Sequence, residues 1–202
     1  MIVVWTAFSV LSAVNSVLLR IGRQVAWVAL SLMVLSILYQ VIMRYGFSAA
    51  PNWTEELARF LMLWMTGLSA PSALRWGGFV AIDMIPRALP ARVGLILNLV
   101  LLFLALMVLT VAVQTGWGEI TGFGGRFASP SLAVPFNITF FPFEVTWEWT
   151  KMAKKYMFAS LWVGCLLMSL VTVELILRTV ITLIDPTRPL PADPHMISAG
   201  GD

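Results

Sequence analysis

Long stretches of this chain carry no charged residue, and that pattern limits its fold more than any other feature. No charge lies between Arg23 and Arg44, and none between Arg92 and Glu119. A helix needs about 20 mostly apolar residues to cross the hydrocarbon of a bilayer. Residues 24–43 and 93–113 meet that requirement outright. The run between Lys155 and Glu174 is shorter, but Glu174 and Arg178 are spaced to pair on one helix face, which extends a span over 156–177. Between Arg59 and Arg75 a span over 57–76 is possible if Arg59 snorkels to the interface. The expected fold is an all-α integral membrane protein with four transmembrane helices in a single membrane domain, 1–184. Composition agrees. The 202 residues are 59% hydrophobic and 11% charged, whereas soluble domains carry about 25% charged residues. Too few polar groups remain to cover a globule in water.

Two further segments read as amphipathic helices at the membrane surface. In the first 23 residues, Ser9, Ser12, Ser16, Arg20 and Arg23 recur at three- and four-residue steps, opposite Trp5, Phe8, Leu11, Val14 and Leu18. Such a polar stripe predicts an interfacial helix ending near Leu19. No basic stretch precedes the apolar run, so a secretory signal is not expected. Between Gly116 and Lys155, Phe136, Phe140, Phe143 and Trp147 also fall at helical spacing, with Pro142 suited to a first helical turn. This predicts an aromatic-rich amphipathic helix leading into the last span, its rings forming an interfacial belt. The proline-rich segment 185–202 is expected to be a disordered cytoplasmic tail. Arginines before the first span outnumber those just after it, which places both termini inside.

Much chemistry is excluded. The sole histidine, His195, lies in the tail, and Cys165 is the only cysteine. No haem, zinc or redox-metal ligand set can be assembled, and no serine has a histidine to activate it. Glycines 116–125 do not follow a strand with phosphate-loop spacing. A net charge of +3 without a basic patch does not suggest nucleic acid. The chain is expected to need no cofactor and not to be an enzyme. Acids lie only at span ends, so it also looks ill equipped to move an ion by itself.

The densest cluster of polar signals runs from Arg44 to Asp83. Asn52 with Glu55 three residues later forms a capping-box-like start. Glu55 and Glu56 suit the positive end of the helix dipole, and Glu55 is spaced to pair with Arg59. Thr66, Ser69, Ala70 and Ala73 give the second span a small-residue face for close helix packing. Pro71 can kink it.

The stretch Arg44-Tyr45-x-Phe47, then Trp53-x-Glu55-Glu56-Leu57-Ala58-Arg59, then Trp64, Gly67, Arg75, Gly77 or Gly78, and Asp83 resembles the small permease subunit of TRAP transporters, the DctQ-like family. The motif-bearing match covers about 40 residues. The resemblance implies a multi-pass subunit of the bacterial inner membrane. It implies two partners besides lipid: a large TRAP permease, which it would scaffold during sodium-driven uptake, and a periplasmic solute-binding protein that delivers an organic acid. Arg44, Trp53, Glu55, Glu56 and Arg59 match the family's motif, and Asp83 its loop acid. These would be partner contacts or helix-end anchors. Two features depart from the pattern: Phe79 stands where the family commonly has a histidine, and the 116–155 segment is longer than usual. The competing reading from the residues alone is a membrane anchor subunit of a respiratory oxidoreductase, against which the lack of intramembrane histidines argues.

Overall fold

A chain in hydrocarbon must satisfy its backbone N–H and C=O groups internally, so the charge-poor runs become helices. In the computed structural model, which describes residues 2–49, 51–76, 91–122, 125, 127–134, 137–140, 143–146 and 149–184, four long helices dominate. They are α1 (Ile2–Gly46), α2 (Asn52–Arg75), α3 (Ala91–Thr121) and α4 (Lys155–Ile184). Four short strands stand between α3 and α4: β1 (Ala128–Val134), β2 (Asn137–Phe140), β3 (Phe143–Thr146) and β4 (Thr150–Ala153). Among the described residues, three stretches are long and apolar enough to cross a membrane: Phe8–Gly46, Val93–Thr121 and Lys155–Ile184. The chain is therefore a helical, multi-pass membrane protein. α2, 24 residues long with Pro71 inside it, is not among the three.

The interfacial N-terminal helix is not a separate element. Residues 2–46 form one helix of 45 residues, about 67 Å long at 1.5 Å per residue. The polar stripe expected to face water divides between two faces. Ser12 and Ser16 are turned toward the protein, where they accept hydrogen bonds from Arg75. Ser9 and Arg20 are exposed. Val10, Val14 and Val17 are also exposed, at 59%, 47% and 59%. A surface helix carries its apolar face inward, and this one carries much of it outward. The buried positions Phe8, Asn15, Gly22, Ala29 and Ser36 recur every seven residues, the step that keeps one seam of a helix against its neighbours.

The aromatic-rich amphipathic helix is also absent. That segment pairs as two antiparallel two-stranded ladders, β1 with β4 and β2 with β3. Phe140 pairs with Phe143 and Asn137 with Thr146, so only Phe141 and Pro142 separate the strands. The aromatic spacing fitted a helical period, but Ile138, Thr139, Val145 and Thr146 are β-branched, and such residues favour strands. Glu174, placed with Arg178 from spacing alone, instead has Arg75 and Asn15 as partners. Asp83, Phe79 and the tail 185–202 lie outside the described residues.

The chain divides into two compact units. The first comprises Met1–Arg20, Ala70–Val111 and Leu166–Asp202. Its core includes Phe8, Val171, Ile176 and Ile181, and Asn98 on α3 donates to Thr179 on α4 at 3.4 Å. The second comprises Ile21–Ser69 and Ala112–Cys165. Here Ser36 on α1 donates to the Thr54 carbonyl at 3.2 Å. Trp162 donates to the Val113 carbonyl at 3.1 Å and packs against Trp117 with ring centroids 5.3 Å apart. Helices approach closely at Gly67 and Gly164: a Cβ on Gly67 would stand 2.5 Å from the Ser160 carbonyl oxygen.

Candidate functional site

Two polar constellations stand out, one in each unit. The one in the second unit is built around the start of α2. Pro51 and Thr54 form its first turn, with the Thr54 hydroxyl donating to the Pro51 carbonyl at 2.7 Å. This turn projects Glu56 toward β1. Its Oε2 accepts from Ser129 Oγ at 2.6 Å, from the Ser131 N–H at 3.0 Å and from the Leu132 N–H at 2.7 Å. Ser131 Oγ also donates to the Asn52 carbonyl at 3.2 Å.

The reason for the clamp lies in the sheet register. β1 pairs with β4 at Ala128↔Ala153 and next at Ala133↔Lys151, so β1 carries extra residues between its paired positions. The amides in that irregular stretch lack a regular ladder partner, and buried amides demand one. The Glu56 carboxylate supplies it. Partial burial pushes the Glu56 carboxyl up, but the hydrogen bonds from Ser129, Ser131 and Leu132 outweigh it and hold it below its ordinary value. A depressed folded-state value means that the contribution is fully present above the ordinary carboxylate range and is lost as pH falls through the folded value. Hydrogen bonds to a charged group are worth about 1.5–3 kcal/mol each in favourable settings, and this half-buried one belongs at the low end. We expect limited proteolysis within residues 127–134 to accelerate as pH falls from 6 to about 3. We expect Glu56→Gln to show the faster cleavage already at pH 7 and to lose the pH dependence. Equal cleavage of parent and variant at pH 7 would refute the clamp.

The other residues of the family motif sit around this clamp without forming one site. Arg44 is exposed in the last turn of α1, which ends with Ser48 in the left-handed region at φ 52°. Trp53, 42% exposed, packs on Tyr39 with centroids 6.1 Å apart. Glu55 and Arg59 form an ion pair on an open face, worth about 0–1 kcal/mol. Along α2, Thr66 and Ser69 donate to the helix's own carbonyls, of Met62 and Thr66. Ala70 is half-buried, and Thr66 and Ala73 are exposed. The close approach falls instead at Gly67.

The constellation in the first unit joins α1, α2 and α4. Arg75 pairs with Glu174 at 2.8 Å, with side chains 5% and 3% exposed. Arg75 Nη1 donates to Ser16 Oγ at 2.8 Å and Nη2 to Ser12 Oγ at 3.1 Å. Asn15 Nδ2 donates to Glu174 Oε2 at 2.7 Å and to the Leu170 carbonyl at 3.3 Å. A buried carboxylate this fully occupied by a permanently charged guanidinium is a fastening, not a port for a coupling ion. Sequence reasoning named Arg75 as a motif residue but missed its partner. The available signal was that Arg75 and Glu174 each close an apolar run, with Asn15 the one amide on the N-terminal helix. Among the described residues, no three His, Cys, Asp or Glu side chains gather as a metal site.

The profile of the family described as tripartite ATP-independent periplasmic transporters, DctQ component, matches residues 33–182. The chain is 27% identical over 112 residues to a Haemophilus influenzae protein named as a TRAP transporter small permease protein, covering 55% of this chain and 69% of the relative. It is 28% identical over 103 residues to the isethionate TRAP transporter permease protein DctMQ of Oleidesulfovibrio alaskensis, covering 49% of this chain and 16% of that much longer relative.

Proposed function

Because this chain belongs to the DctQ family of tripartite ATP-independent periplasmic transporter components, we propose that it is the non-catalytic small subunit that scaffolds a large permease in the bacterial inner membrane. The transporter then takes up an organic acid, delivered by a periplasmic binding protein and driven by sodium. α2 serves as the fourth span, with Glu55 and Glu56 at one end, Arg75 neutralised by Glu174 at the other, and both chain termini cytoplasmic.

The observation that carries this reading, beyond the family match, is the openness of α3. None of the most apolar stretch of Val93–Thr121 is buried within the chain. A helix so apolar and so uncovered is solvated by lipid or by another membrane protein. A relative in which a small permease match occupies only 16% of one long permease chain supports a membrane protein as that neighbour. Arg44, Trp53, Glu55 and Arg59 then act as helix-end anchors or partner contacts, and exposed Thr66 and Ala73 leave α2 open to a partner helix. The test is reconstitution. Proteoliposomes holding the large permease with this chain, given the binding protein outside, should accumulate the organic acid in a sodium-dependent manner. Omitting this chain should abolish uptake. Full uptake by the permease without it would overturn the scaffold reading.

A further inference from the structure

The first unit contains an exposed arginine at a depth where the surroundings are hydrocarbon. The depth follows from hydrogen bonds within that unit. Asn98 on α3 meets Thr179 on α4. Consecutive spans cross in opposite directions, so moving five residues back along α4 to Glu174 moves about 7.5 Å along α3, to the level of Phe103. Asn15 bonds Glu174 and Leu170 and lies at that level too. On the four-span reading proposed above, α1 also runs opposite to α4. Arg20, five residues beyond Asn15, is then level with about Val108 on α3. The nearest charged residues on α3 are Arg92 and Glu119, about 24 Å and 16 Å along the helix. Snorkelling does not span such a distance cheaply.

Arg20 is exposed and makes no hydrogen bond or ion pair among the described residues. It shares the outward side of α1 with Val10, Val14, Val17 and Leu18, exposed by 59%, 47%, 59% and 37%. By contrast, Arg75, the buried arginine of the same unit, is matched by Glu174 and two serine hydroxyls. One intramembrane guanidinium is thus fully answered from within the chain, and the other is turned outward among valines. A charge in hydrocarbon is held by an opposite charge.

We propose that Arg20 is an intramembrane partner site, and that it receives a carboxylate from a transmembrane helix of the large permease, which packs on the Val10–Val14–Val17 face. The inference rests on the scaffold reading and adds to it the contact and its chemistry. Because Arg20 points away from its own unit, its substitution should leave this chain folded.

The experiment uses the chain co-expressed with the large permease. Arg20→Glu and Arg20→Ala chains, shown to be folded by circular dichroism and monodisperse elution, should retain at least about tenfold less permease, as expected when one member of a buried charge pair is lost. Arg20→Lys should retain an intermediate amount. A benzophenone on Val17→Cys, in a Cys165→Ser background with Arg20 intact, should cross-link to the permease. Equal retention by Arg20→Glu and the parent, or benzophenone adducts to phospholipid alone, would overturn the contact and assign Arg20 to lipid phosphates. A parent chain that retains no permease is a different failure, since it overturns the scaffold reading itself.

Discussion

Glu174→Ala should lower the stability of the chain in detergent more than any other single side-chain removal. It would leave the Arg75 guanidinium, 5% exposed, without its counter-charge in a low-dielectric interior. Removing one member of a buried pair costs about 3–5 kcal/mol, a large part of the total stability of an ordinary domain. Asn15 would lose its 2.7 Å acceptor at the same time. The double replacement Arg75→Met with Glu174→Met removes both charges together and should be markedly less damaging than Glu174→Ala, because apolar residues of similar size carry no desolvation cost. Thermal unfolding of purified chains, followed by circular dichroism or tryptophan fluorescence, measures both. Equal stability of Glu174→Ala and the parent, or a double variant as unstable as the single, would remove the pair from its role as a fastening.

Gly67→Leu and Gly164→Val should prevent the second unit from packing. At Gly67 an added Cβ would lie 2.5 Å from the Ser160 carbonyl oxygen, and at Gly164 it would lie 2.8 Å from the Gly67 carbonyl oxygen and 2.9 Å from the Gly67 Cα. These neighbours are backbone atoms of a facing helix and cannot swing aside. Overpacking costs about 1–3 kcal/mol where side chains can adjust, so a backbone clash at this crossing should exceed that range. Gly118 is the internal control: a Cβ there meets nothing within 4 Å. Gly118→Ala should be neutral or slightly stabilising, since alanine is favoured over glycine in a helix by about 0.8–1 kcal/mol. The measurement is the yield of monodisperse protein together with its unfolding temperature. Normal yield from Gly67→Leu would mean that the α2–α4 approach is looser than described.

The two expectations that failed did so for instructive reasons. The N-terminal stripe was correctly read as helical, because spacing is a property of the chain itself. Its direction was misread, because a serine face looks the same whether it meets water or Arg75. The 116–155 segment had aromatics at helical spacing, yet Glu56 and the β1–β4 ladder supply the hydrogen bonds that make strands the better solution there. Glu56 itself was legible as a helix-start acid. Its donors were not, since Ser129 is 73 residues away and carries no mark distinguishing it from any other loop serine. Likewise the small residues of α2 announced close packing, but which of them makes it depends on the facing surface, and that surface is at Ser160 and Gly164.

What this sequence determined by itself was where the chain is helical across a membrane and which family it resembles. Transfer into hydrocarbon is summed residue by residue along a run, so a stretch without charges such as 93–113 announces a span with no knowledge of its neighbours. What only the tertiary structure decided was how the polar residues that interrupt those runs are disposed: Arg75 on Glu174, Asn15 between them, Glu56 on β1, and Arg20 outward. A charge in a low-dielectric medium must find an opposite charge or a set of dipoles. It finds them across a separation such as the 99 residues between Arg75 and Glu174, over which no local pattern in the chain carries information.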